Sequence, residues 1–414
     1  MKKNFTHFFL ILLLGSFLLI QGCNSCKKEN GQHLRHKDKK LENCIAKSRP
    51  DARDLVKIEK EIDARQKTAA IDTFFRNRVR AGFNGALLVE QKGVLLYKNI
   101  HGLSNLTTKD SLNFQSTFQL ASISKIFTGV AVMQLAEKGK IKLNATIQTY
   151  IPNFPYKDIT VANLLSHRSG LPNYLHCFDK KQKDENAGSP TNATLVDWFA
   201  KANPLVPPAR KANTGFQYNN SNYAVLARIV EVVTRKPFAE YMRDKLFVPL
   251  DMNSTYIDTT ATAEQLATKT IGYDGKRKRE RDFFDGVYGD KGMFSNVDDM
   301  LKWYHALRSD CLLKRSSLDS AFVPRSLERP SRHNYGYGFR LMTNVHDMTK
   351  VYYVYHGGWW NGYSNMFWMD FKNDYVIIFL SNKRNRISYE VQPLIKILEG
   401  GDADSYNEKI NGVI

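Results

Sequence analysis

The chain has 414 residues, 43% of them hydrophobic, enough apolar sequence for one large domain or two ordinary ones and too much for intrinsic disorder to be the default. Its formal charge is +19, from 60 Lys and Arg against 41 Asp and Glu, a balance that favours anionic surfaces such as lipid headgroups and envelope polymers. Among the five cysteines no C-x-x-C pair sits with a second such pair, which argues against a zinc ribbon.

The chain opens with Lys2 and Lys3, followed by a nearly unbroken apolar run from Phe8 to Ile20. That run is too short to span a bilayer comfortably and fits the hydrophobic segment of a secretory signal. Ile20-Gln21-Gly22-Cys23 follows and resembles the bacterial lipobox, in which the Cys thiol is diacylated and becomes the mature N-terminus; Gln21 is bulkier than the usual residue there. Residues 1–22 therefore read as a lipoprotein signal peptide and Cys23 as the lipidation site. Removal of the signal leaves a net +17. Export takes the chain away from nucleic acid, and a doubly acylated Cys gives stable membrane attachment. An exported compartment permits disulfides among Cys26, Cys44, Cys177 and Cys311. Cys26 and Cys44 can pair, but their spacing does not decide it.

Residues 23–53 are polar and charge-rich and read as a flexible tether. From 54 to 80 the apolar positions Leu55, Ile58, Ile62, Ile71, Phe74, Phe75 and Val79 have broadly helical spacing. Gly85–Glu90 and Val94–Lys98, around Gln91-Lys92-Gly93, predict a hairpin. Phe127–Lys138 predicts a helix ending near Gly139 and starting at about Ser122. Residues 175–193 read as an irregular loop insertion. Ser221–Thr234 carries Tyr223, Leu226, Ile229, Val230 and Val233 at helical spacing. Val351–His356, Ser364–Asp370 and Tyr375–Ser381 predict three strands with turns at Trp360-Asn361-Gly362 and Lys372-Asn373-Asp374. The expected architecture is α+β: an antiparallel sheet of five or more strands from both chain ends, with a helical region inserted. The domain is expected over 54–398, with a polar tail at 399–414.

Three short motifs carry chemistry. Ser122-Ile123-Ser124-Lys125 places a hydroxyl and an amine three residues apart, on one face of a helix start. A serine needs a base to become a nucleophile, and a desolvated lysine at a helix N-terminus is disfavoured in its charged form. Alone, the motif reads as a capping serine with a surface lysine. Tyr218-Asn219-Asn220 supplies a phenol for proton transfer and an amide for a substrate carbonyl and Lys125; it also reads as a turn before a helix, capped by Asn220 or Ser221. His356-Gly357-Gly358 ends a predicted strand, with glycines that let a ligand lie against its edge.

In that order, these motifs resemble the active site of serine β-lactamases and penicillin-binding proteins, and within that group class C β-lactamases and their D-peptidase and carboxylesterase relatives. Phe118-Gln119-Leu120-Ala121-Ser122-Ile123-Ser124-Lys125 is similar to the nucleophile segment. Leu164-Leu165-Ser166-His167-Arg168-Ser169-Gly170-Leu171 resembles a bracing loop, in which His167 reads as structural. Pro249-Leu250-Asp251-Met252 and Gly289-Asp290-Lys291-Gly292 resemble two further family segments, with Asp251, Asp290 and Lys291 as departures from glycine-rich patterns. The resemblance spans about Phe83 to Asn382. It implies a β-lactamase/transpeptidase-like fold and acyl transfer through Ser122, with Lys125 and Tyr218 moving protons. Asn220, His356, Gly358 and Trp359 would then bind substrate, the N–H groups of Ser122 and Trp359 forming the oxyanion hole. No metal or cofactor is implied. His356-Gly357 in place of the family's Lys-Thr weakens the reading as a true β-lactamase or D,D-carboxypeptidase and favours an ester or peptide-like amide. A catalytically silent ligand-binding protein is the non-enzyme alternative. Tyr352, Tyr353, Tyr355, Trp359, Trp360 and Tyr363 suit either an aromatic rim at the site or sheet packing. The expected location is the bacterial cell envelope, facing the periplasm or the surface; the oligomeric state is left open.

Overall fold

The computed structural model describes residues 38–177, 189–202 and 205–400. The expected signal peptide and Cys23 lie outside these residues, as do most of the predicted loop insertion and nearly all of the predicted tail.

The principal sheet has seven strands, all antiparallel: β1 Gly85–Gln91, β2 Val94–His101, β3 His333–Tyr335, β4 Arg340–Thr343, β5 Val351–Trp360, β6 Tyr363–Asp370 and β7 Tyr375–Ser381. Their order is β3-β4-β5-β6-β7-β1-β2. The C-terminal meander thus pairs with the N-terminal hairpin through β7 and β1, as expected of a sheet made from both chain ends. Every residue of β7 is buried. Ile377 and Phe379 join an apolar cluster on one face, while Val376, Ile378 and Leu380 join a second cluster on the other. A central strand covered on both faces needs side chains that are apolar at every position rather than at alternate ones.

Eight helices of eight residues or more accompany the sheet among the described residues: α1 Lys39–Lys47, α2 Ala52–Glu61, α3 Ala64–Arg80, α4 Ser124–Glu137, α5 Asn192–Lys201, α6 Asn220–Thr234, α7 Val297–Arg308 and α8 Gln392–Glu399. α3 and α8 cover one face of the sheet, with Ile71, Phe74, Phe75, Leu394, Ile395 and Leu398 in the cluster there. α4, α6 and α7 lie in the larger cluster on the other face. α4 is buried nearly throughout, which explains why its sequence is apolar on all sides rather than along one stripe.

Three expectations change. The helical run 54–80 is two helices, because Asp63 takes φ +52 and breaks the chain between them. The tether expected over 23–53 is ordered where the structure describes it: Asp38 caps α1, Asp51 caps α2. Cys44 on α1 is bonded to Cys311, just beyond α7, with Cα atoms 6.0 Å apart; the Cys26–Cys44 alternative therefore fails. Cys177 is free. Spacing cannot reveal a bond across a sequence separation of 267 residues.

Such a bond stabilises mainly by restricting the unfolded chain. The double variant Cys44→Ser/Cys311→Ser is expected to lose about 2–4 kcal/mol. The measurement is the urea midpoint. Dithiothreitol should bring the wild type to the variant's midpoint and leave the variant unchanged; a wild-type midpoint insensitive to reductant would contradict this.

Candidate active site

Ser122 sits in a single 3-10 turn, Ala121–Ile123, that leads into α4 at Ser124. The helix therefore starts two residues later than its apolar pattern suggested. Ala121 is fully buried with φ +50, a conformation that L-residues avoid unless the surroundings enforce it. Lys125, in the first turn of α4, has no exposed surface. Its Nζ donates to Ser122 Oγ at 3.1 Å, Asn220 Oδ1 at 2.8 Å and the Asp290 carbonyl at 2.8 Å. All three ammonium hydrogens thus have acceptors.

Asn219 is the N-cap of α6 and accepts from Ser221 N at 2.9 Å, so the cap is neither Asn220 nor Ser221 as the sequence suggested. This frees the Asn220 amide to turn toward Lys125. Tyr218 is half-buried, with its ring centroid 5.0 Å from Lys125 Nζ. His167 fixes the residues on either side of Tyr218: its carbonyl accepts from Gln217 N at 2.8 Å and its Nδ1 from Asn219 N at 3.2 Å. The imidazole lies 4.3 Å from the Tyr218 ring. These contacts agree with the bracing role read from the sequence.

The strand carrying His356 does not end there. β5 runs to Trp360, and its last pair with β4 is Tyr355 with Arg340. From His356 onward β5 pairs with β6 alone. Gly358 brings this stretch against the nucleophile turn: a Cβ there would lie 2.1 Å from the Leu120 carbonyl oxygen. His356 is fully buried. Its Nδ1 lies 2.7 Å from the Gly357 carbonyl, which can only accept, so Nδ1 carries the proton and Nε2 accepts from the Tyr335 hydroxyl at 3.1 Å. Burial holds its pKa well below the ordinary histidine value, and the nearby Arg340 and Lys125 charges add to the effect. His356 is therefore a neutral imidazole.

Sequence reasoning missed Arg340. Its guanidinium carbon lies 4.8 Å from the Tyr218 ring centroid, and among the described residues it forms no ion pair with a carboxylate. A lone cation on a short strand has no sequence signature; only the β4–β5 register brings it here. The departures at 290 and 291 also gain an explanation. Asp290 and Lys291 are buried, with Lys291 Nζ 3.6 Å from Asp290 Oδ2. The Tyr174 hydroxyl donates to Asp290 at 2.8 Å and accepts from Lys291 at 2.6 Å. Asp251 occupies φ +56, the reason glycine is usual there.

The aromatic rim is mostly sheet packing. Tyr353, Tyr355 and Tyr363 are buried. Trp360 Nε1 donates to Asp285 at 2.8 Å, and Trp359 alone is largely exposed, with Arg384 stacked 4.2 Å from its ring. Among the described residues, no group of three or more His, Cys, Asp or Glu could hold a metal ion.

A family model described as Beta-lactamase matches residues 71–401. The chain belongs to the Beta-lactamase family. It is 30% identical over 331 residues to Penicillin-binding protein 4* of Bacillus subtilis (strain 168), covering 77% of this chain and 72% of that one. A further relative in that organism, PbpX, is 27% identical, with 68% of each chain covered. Among solved structures, the D-amino acid amidase of Ochrobactrum anthropi SV3 superposes with a TM-score of 0.67 at 20% identity, covering 82% of this chain and 99% of that one; at that identity the likeness concerns the β-lactamase-like fold.

His167, like His356, is fully buried with its pKa held well below the ordinary value, first by burial and then by the Lys125 and Arg340 charges. A histidine depressed in the folded state takes up its proton more readily in the unfolded chain. Stability is therefore intact above about pH 6.5 and is lost as the pH falls below it. The unfolding free energy in urea is expected to drop by on the order of 1 kcal/mol per pH unit for each histidine between about pH 6.5 and 5. His356→Asn should flatten that slope; an unchanged slope would mean that His356 is protonated in the folded protein.

Proposed function

We propose that the protein is an exported serine hydrolase that cleaves an ester or peptide-like amide through an acyl-enzyme on Ser122. The observation that carries this reading is the buried Lys125 ammonium, hydrogen-bonded at once to Ser122 Oγ and Asn220 Oδ1. Membership of the Beta-lactamase family supports serine-hydrolase chemistry in general.

In this mechanism Tyr218 acts as a phenolate beside the Lys125 ammonium, and Ser122 Oγ attacks the substrate carbonyl carbon as its proton passes to the Tyr218 oxygen. The carbonyl becomes an oxyanion held by the N–H groups of Ser122 and Trp359, donors of a kind worth about 3–4 kcal/mol each. Tyr218 returns a proton to the leaving oxygen or nitrogen, and the bond to the leaving group breaks. Water, deprotonated by the same phenolate, then attacks the ester and restores Ser122. Asn220 holds both Lys125 and the acyl part of the substrate.

Neutral His356 brings no charge for a substrate carboxylate, which favours esters and amides without one. Arg340 favours a second reading: a cation beside Tyr218 with no carboxylate partner among the described residues suits a carboxylate-ended peptide or a β-lactam. A fluorophosphonate probe should label Ser122 in the folded wild type, not label Ser122→Ala, and react about 100-fold or more slowly with Lys125→Met. Absence of labelling in folded protein would leave the catalytically silent binder. Turnover of D-peptides or nitrocefin above that of esters, lost in Ser122→Ala, would select the second reading.

We further propose attachment to the cell envelope through a lipid on Cys23. The Cys44–Cys311 bond supports an oxidising, exported compartment. Cys23→Ser should leave the membrane fraction in cell fractionation; a variant that still sediments with membranes would contradict the anchor.

A further inference from the structure

A cavity of about 270 Å³ lies beside the site, and none of Ser122, Lys125, Tyr218 or His356 lines it. Gln119, three residues before the nucleophile, contributes to its wall, and so do Asp258, Tyr288 and the 278–281 segment. Gln119 is only 6% exposed, yet its Oε1 has no hydrogen-bond partner among the described residues. Asp258 Oδ1 is likewise buried and unpartnered, while Oδ2 accepts from Lys269 at 2.7 Å. Native interiors rarely leave such acceptors unmet, so the cavity wall calls for a ligand that donates hydrogen bonds.

The charge on the same wall has the opposite sense. Lys269 is paired with Asp258, and Lys278 with Glu280 at 3.5 Å. Arg279 and Arg281 also line the cavity, are exposed, and have no carboxylate partner among the described residues. The ligand should therefore present an anion to two guanidinium groups and N–H donors to two buried oxygens. A neutral polyol meets only the second demand, and an inorganic anion only the first. An ammonium carries three donors and no acceptor, and a carboxylate fits the guanidinium fork.

We propose that this cavity binds a zwitterionic α-amino acid, its ammonium on Gln119 and Asp258 and its carboxylate on Arg279 and Arg281. The site has a physical link to the candidate active site. Asn361 and Asp285 line the cavity, and Asp285 accepts from both Trp360 Nε1 and Asn361 Nδ2 at 2.8 Å. Trp360 ends the strand that carries His356 and Trp359, so an occupant bears on the turn that holds that strand's end.

The proposal stands apart from the hydrolase reading, because binding needs no turnover. Isothermal titration calorimetry on full-length Ser122→Ala protein would use L-alanine and D-alanine as probes, with ethylamine, acetate and inorganic phosphate as fragments of the proposed chemistry. At least one alanine enantiomer is expected to bind at one site, at least about tenfold more tightly than each fragment. Gln119→Leu and the double variant Arg279→Ala/Arg281→Ala should each weaken it by about tenfold or more. The two arginines are exposed, so that double variant keeps the test alive if Gln119→Leu does not fold. No heat with either enantiomer, phosphate binding as tight as alanine, or full affinity in the arginine variant would each overturn the assignment.

Discussion

A buried ammonium is tolerable only when its hydrogens are matched, and in this chain the matching of Lys125 organises the site. Its three acceptors come from three places: Ser122 in the preceding turn, Asn220 at the head of α6, and the Asp290 carbonyl. No two of these elements are neighbours in sequence, apart from Ser122 and Lys125 themselves. The cradle therefore exists only once α4, α6 and the 289–291 segment have packed together. Removing one acceptor would leave a desolvated charge short of a partner, which is a larger penalty than the net value of an ordinary hydrogen bond.

Asp290 bears two of these demands at once. Its carbonyl accepts from Lys125, while its carboxylate meets Tyr174 and lies beside Lys291. Burial pushes the Lys291 pKa down and the Asp290 charge opposes that shift, with Lys125 acting on it as a like charge. The pair replaces a glycine-rich stretch by a compensated dipole packed behind the lysine. Breaking such a buried pair by removing one partner typically costs about 3–5 kcal/mol. The two departures in the sequence are thus one feature: neither residue would be stable there without the other.

Much of this was legible in the sequence because it is local. Ser122 and Lys125 lie one helical turn apart, so their proximity follows from α4 alone. The hairpin of β1 and β2 and the strands β6 and β7 announce themselves by composition and turn residues. The family resemblance then ordered Tyr218-Asn219-Asn220 and His356-Gly357-Gly358 around the serine. What stayed hidden is set by long-range packing. Arg340 reaches Tyr218 only through the register of β4 against β5. Cys44 meets Cys311 only because α1 docks near the end of α7. The helix cap fell on Asn219 rather than its neighbours because His167 and Leu171 hold that residue from outside the helix. The aromatic residues of β5 were ambiguous for the same reason: alternation says that they face opposite sides, not which side is covered.

The end of β5 shows how clearance rather than attraction shapes the site. Side chains at 357 and 358 would strike the Tyr389 ring on one face, 2.6 Å from a Cβ, and the Leu120 carbonyl on the other, 2.1 Å away. The strand can lie between them only as bare backbone, and this fixes its distance from the serine turn. His356 precedes these glycines and is wedged between the Gly357 carbonyl and the Tyr335 hydroxyl. A second proton on that ring would have to be carried without solvent, close to Arg340 and Lys125. The same tight fit that admits the strand therefore keeps residue 356 neutral. The strand beside β5 contributes the positive charge that residue 356 lacks: Arg340 is only half-buried and lies against the face of Tyr218.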